Sequence, residues 1–139
     1  MKLDFAFLAD AAYITDDGLF CVVGGGFDII FASGFPAIKH AMALVGRVVF
    51  EVNELGKDHL LHGQIVSKDG NVLPPDLWLL IKPIPRPSDP NRENWMTICL
   101  NYQGVVFPTP GEYWIQLSVE KQTLGKVNIQ VLPSGGGQK

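Results

Sequence analysis

The chain has little positive charge to spare and none of it is clustered. Its 139 residues carry 11 Lys and Arg against 14 Asp and Glu, a formal charge of −3. Phosphate backbones and anionic lipid surfaces are held by concentrated cations, so nucleic acid and membrane surfaces are excluded as expected partners. Long apolar runs are missing too: no stretch approaches the ~20 residues of a membrane span. The opening Phe5–Ala9 segment is too short for a signal-peptide core and is closed by Asp10. Cysteine is scarce, with only Cys21 and Cys99, and there is no Asn-x-Ser/Thr acceptor. A disulfide framework is therefore not expected, and the cytoplasm is the expected compartment.

Motifs that carry chemistry are also lacking. Gly24-Gly25-Gly26 has neither dinucleotide nor phosphate-loop spacing, and extended sequence follows it, so it reads as a bend needing positive φ. Of the three histidines, His59 and His62 are three apart on one predicted strand and point to opposite faces, which excludes a shared metal. Aspartates 4, 10, 16, 17 and 28 match no calcium loop. Asp10 and Asp28 border apolar runs, where a carboxylate needs hydrogen bonds; both are expected to accept backbone N–H groups at strand bends. There is no G-x-S-x-G, and Cys21 lies in an apolar run that would keep its thiol protonated. No catalytic, metal or cofactor-binding residue is assigned, and no cofactor is expected.

What is present is period-2 alternation. Leu3, Phe5, Phe7 and Ala9 alternate with their neighbours. Asp16-Asp17-Gly18 turns into the continuous apolar run Leu19–Val23, which predicts a strand covered on both faces. Further strands are predicted over 27–32, 41–52, 59–67 and 77–82, with a hairpin turn at Lys68-Asp69-Gly70-Asn71. Residues 83–94 hold four prolines and predict a long loop that could cover a site. Met96–Tyr102, Tyr113–Val119 and Val127–Val131 then alternate cleanly, predicting a one-face-buried antiparallel meander with a turn over 121–125. The expected fold is all-β, an antiparallel two-sheet sandwich of immunoglobulin-like Greek-key type, with a β-barrel as the alternative. One domain over 1–132 is expected, with a flexible Gly-rich tail over 133–139.

Leu8-Ala9-Asp10-Ala11-Ala12, Asp17-Gly18-Leu19, Gly24–Ile30, Phe35-Pro36 and Ala43-Leu44-Val45 follow one another in an order that resembles the opening of a family of small bacterial proteins, a domain of unknown function. Phe107-Pro108-x-Pro110-Gly111-x-Tyr113 with its following hairpin is similar to the close of that family, and to the last hairpin of many immunoglobulin-like sandwiches. The resemblance implies a bacterial, cytoplasmic protein and brings no catalytic residues with it.

Alternation places Trp95 and Trp114 on the polar faces of successive strands, where exposed indoles point to a partner. The expected function is a non-catalytic protein-interaction or self-assembling module, a homo-oligomer or a binder of another protein, with Trp95 and Trp114 in one outer patch. The alternatives are a small-ligand or carbohydrate-binding module stacking its ligand on those tryptophans, and a hydrolase of unrecognised constellation.

Overall fold

The computed structural model describes residues 1–85 and 93–135. These are all-β, with one 3-10 turn at Val52–Glu54. In chain order the strands are β1 (Lys2–Ala9), β2 (Ala11–Ile14), β3 (Phe20–Val23), β4 (Ile29–Ala32) and β5 (Ala37–Phe50). They continue as β6 (His59–Ser67), β7 (Val72–Ile81), β8 (Asn94–Phe107), β9 (Gly111–Val119) and β10 (Gln122–Pro133). Three strands form one sheet in the order β1-β5-β8, and five form another in the order β4-β10-β9-β6-β7. β2 and β3 make a separate ribbon.

Alternation explains how the two main sheets meet. Met42, Leu44 and Val48 of β5 and Ile98 and Leu100 of β8 point inward. There they join Leu61 and Ile65 of β6 and Ile115 and Leu117 of β9 in one core. Each such burial contributes about 1.5–3 kcal/mol, so this shared core is the main force joining the sheets. The opposite face of β5 is also dry. Ala43 and Val45 lie under Ala12 and Phe20 of the ribbon, together with Cys99. From Met42 onward β5 is thus buried on both faces, as its nearly continuous apolar sequence there requires.

The turns follow the sequence closely in two places. Gly18 and Gly70 take positive φ of 78° and 87° in the predicted hairpin turns. Gly24 and Gly26 supply the predicted bend with φ of 63° and 92°. The last hairpin is tighter than expected, with Glu120 and Lys121 themselves left-handed at φ 48° and 69°. That is the backbone twist a two-residue hairpin turn needs.

Several expectations are corrected. β8 does not continue into a meander: it pairs with β5, and of the last three strands β9 and β10 alone pair with each other. Alternation reports which face of a strand is buried but not which sheet it joins. β4 runs parallel to β10 and starts at Ile29, while Phe27 makes only an isolated bridge to Leu8. β7 begins five residues early, at Val72, because Pro74 and Pro75 sit where the ladder with β6 shifts register between Gly63 and Ile65. A proline is tolerated on a sheet edge or at a bulge, and this position is both. The Leu19–Val23 run is not covered on both faces: Leu19, Val22 and Val23 are exposed. Pro133 belongs to β10, and Ser134 N–H donates to the Ala32 carbonyl at 2.7 Å, so the tail is anchored at its start. Asn94 likewise begins β8 rather than ending a loop. The rest of the expected loop and tail, residues 86–92 and 136–139, lies outside the described residues.

Candidate interaction surface

The two tryptophans singled out by alternation do lie on outward faces, but of different sheets. Trp95 is on β8, outside the three-stranded sheet, with the Arg47 guanidinium 3.8 Å from its ring centre. Trp114 is on β9, outside the five-stranded sheet, with Lys126 Nζ 4.8 Å from its ring. The core lies between them, so the single patch expected from Trp95 and Trp114 does not form. Its premise was that β8 and β9 are neighbours, and the topology separates them.

The exposed indole is a third one, Trp78, at 57% relative exposure. It stands on the edge strand β7 beside Leu80, which is 64% exposed. On β6 the cross-strand partners are His62 for Trp78 and Leu60 for Leu80. The His62 imidazole lies flat on the indole, ring centres 3.8 Å apart and planes within 6°. Each ring fixes the other, so the indole is presented as a rigid plate with little side-chain entropy left to lose on binding. A shallow depression of about 310 Å³ runs from this plate to Glu120 and Lys121. Sequence reading missed Trp78 because Leu77–Ile81 has no polar residue, so its parity does not mark an outer face.

The other half of the same sheet face is polar. Trp114, Asp28, Glu112, Asn128 and Gln130 border a groove of about 300 Å³. The Trp114 Nε1–H is buried without a hydrogen-bond acceptor among the described residues. The outer face therefore divides into an apolar strip on β6 and β7 and a polar groove over β9, β10 and the start of β4.

His59 is buried, with Nε2 2.8 Å from the Glu54 carbonyl and Nδ1 3.3 Å from Glu120 Oε1, so both nitrogens are engaged. His59 and His62 lie on opposite faces of β6, as their spacing predicts, with His62 on the outer face, while His40 is exposed on β5. Among the described residues no group of three or more His, Cys, Asp or Glu could hold a metal ion. Among the described residues the partner of the Asp10 carboxylate is Lys39 Nζ at 3.1 Å rather than a backbone N–H. Asp28 contributes through its carbonyl, which accepts from Gln130 N–H at 2.8 Å. Both cysteines are free. Burial pushes the Cys99 thiol up, outweighing a lowering contact from Asn101, and keeps it protonated.

Ser118, His62 and Asp76 stand on three adjacent strands, and Asp76 Oδ1 is 3.4 Å from His62 Nε2 without the alignment of a hydrogen bond. Those residue types suggest a nucleophile, base and acid. However, β6 and β9 are interior strands paired on both sides, which draws their backbone N–H groups into the ladders. No helix among the described residues is long and apolar enough to cross a membrane.

A family model described as a family of unknown function, DUF6941, matches residues 4–132. The chain belongs to this family. The match spans both main sheets and the ribbon, and so covers the whole of the face just described. No curated protein matches the chain in sequence.

Proposed function

We propose that the chain is a non-catalytic protein-interaction module that binds through the apolar strip on β6 and β7. The observation carrying this reading is the rigid Trp78–His62 stack beside exposed Leu80 on an edge strand. A large exposed indole in a strip rimmed by Glu120 and Lys121 has the core-and-rim anatomy of a binding surface, and tryptophan is the residue most often dominant there. The scaffold reading that goes with it is an immunoglobulin-like Greek-key sandwich. Three features support it: the strand orders of the two sheets, β4 running parallel to β10, and Tyr113 donating to the Thr109 carbonyl at the entry to β9. A cytoplasmic setting agrees with two free thiols. The test is the paired variant Trp78→Ala, Leu80→Ala, which removes exposed groups and should keep the native melting temperature. Affinity purification from the native host should recover a protein with wild type and lose it with the variant. Identical recovery with both sinks the reading.

A second reading is favoured by one observation at the polar groove. An unpaired indole N–H beside Asp28, Glu112, Asn128 and Gln130 suits a hydroxyl-rich small ligand such as a sugar. A thermal-shift screen with sugars should then show a rise that Trp114→Ala abolishes. No shift with any sugar removes this reading.

A further inference from the structure

The proposed interaction surface lies on an open sheet edge, and the sequence along that edge is complementary to itself. We propose that the partner is a second copy of this chain, paired antiparallel along Asp76–Lys82 of β7, so that two five-stranded sheets become one; this rests on the reading of the β6–β7 strip as a binding surface.

β7 has a single ladder partner among the described residues, β6, so its other edge is open. Its first half is unsuited to pairing: Pro74 and Pro75 lack N–H groups and sit at the register shift. Its second half, Leu77–Ile81, has neither proline nor charge, which is the kind of edge that natural proteins either protect or use. Pro83 fixes the end of this segment by accepting a 2.7 Å hydrogen bond from Gly56 N–H.

Register follows from faces and charges. A two-fold axis perpendicular to the sheet keeps the core faces continuous only if residues of equal parity meet. With Leu79 on the axis, Leu79 faces its own copy, Trp78 faces the partner's Leu80 and Leu77 faces the partner's Ile81. Asp76 then faces the partner's Lys82, and the same pair repeats at the other end. Asp76 is half exposed and Lys82 exposed, so both can meet a partner. Shifting the axis to Trp78 sets Asp76 against Leu80 and Lys82 against Pro74. Shifting it to Leu80 sets Lys82 against Trp78 and Asp76 against Ile84. Only the Leu79 register satisfies both charges while placing an indole against a leucine, a favoured cross-strand pair.

The test is charge reversal followed by sedimentation velocity over a dilution series. Wild type should dimerise. Asp76→Lys and Lys82→Asp should each dimerise about tenfold more weakly, because two attractions become two repulsions. An equimolar mixture of the two variants should recover wild-type association as a heterodimer, since each end again carries one acid and one cation. Asp76 also neighbours His62, so melting temperatures are recorded; Lys82→Asp leaves that contact alone and keeps the test sound if Asp76→Lys is unstable. A wild-type chain monomeric throughout overturns the second copy as partner, while purification with the Trp78→Ala, Leu80→Ala control still decides the interaction reading. A dimer that ignores both reversals, with no gain on mixing, overturns the β7 pairing.

Discussion

Tyr102 shows how far a single buried group can depart from what its residue type leads one to expect. Its side chain is fully buried between the sheets, and its hydroxyl has no hydrogen-bond partner among the described residues. The hydroxyl also crowds Gly63, where an added Cβ would lie 2.5 Å from it and 2.6 Å from Leu100 Cδ1. An unpaired buried hydroxyl costs about 1–3 kcal/mol in lost hydration, so Tyr102→Phe should leave stability unchanged or raise it by about 1 kcal/mol. Chemical denaturation of the two proteins at neutral pH checks this, and a clear loss of stability would reveal a partner for the hydroxyl. Burial, aided by the Asp76 charge, pushes the Tyr102 phenol well above its ordinary value of 10.0. The folded state therefore holds the proton more tightly than the unfolded chain does. This contribution is fully present below pH 10.0 and is lost as pH rises through the folded value. Wild type should lose stability on that alkaline limb more steeply than Tyr102→Phe. Residue type had marked Tyr102 as one more apolar position in an alternating strand, and rightly so. That its oxygen would be stranded depends on Gly63 approaching from another sheet.

Between β8 and β9 the chain must leave one sheet and enter the other. Tyr113 secures this corner: its hydroxyl donates to the Thr109 carbonyl at 2.6 Å, and its ring packs edge-on against Phe107 with centres 4.9 Å apart. Tyr113→Phe keeps the ring and removes the bond, so it should cost about 1 kcal/mol and leave the fold intact. A shift in the denaturation midpoint with an unchanged slope is the expected result; a changed slope would mean the corner itself had opened. The strands either side were legible from alternation, as were the glycine turns at Gly18 and Gly70. β2 was not, because Ala11–Ile14 is short and apolar on both sides of its strand. The ribbon it forms with β3 covers Ala43 and Val45, and no local pattern announces that this short hairpin will lie over the far-off β5.

For the whole molecule, folding and association become coupled if β7 pairs with a second copy. A dimer that binds only the native state raises the melting temperature with protein concentration, whereas a monomer's is constant. Wild type should show this rise and the Asp76→Lys variant should show less of it, measured calorimetrically at low and high concentration. The sequence by itself determined that the chain is all-β, which residues of the late strands Met96–Tyr102, Tyr113–Val119 and Val127–Val131 face the core, and where most of its turns fall. Those properties are local: side chains alternate every residue, and glycine tolerates positive φ wherever it stands. Only the tertiary structure decided that β8 and β9 part company, that Trp95 and Trp114 face opposite sides, and that Trp78 is the exposed indole. Strand partners are chosen by long-range contacts, and an unbroken apolar run such as Leu77–Ile81 carries no mark of which side will meet the core.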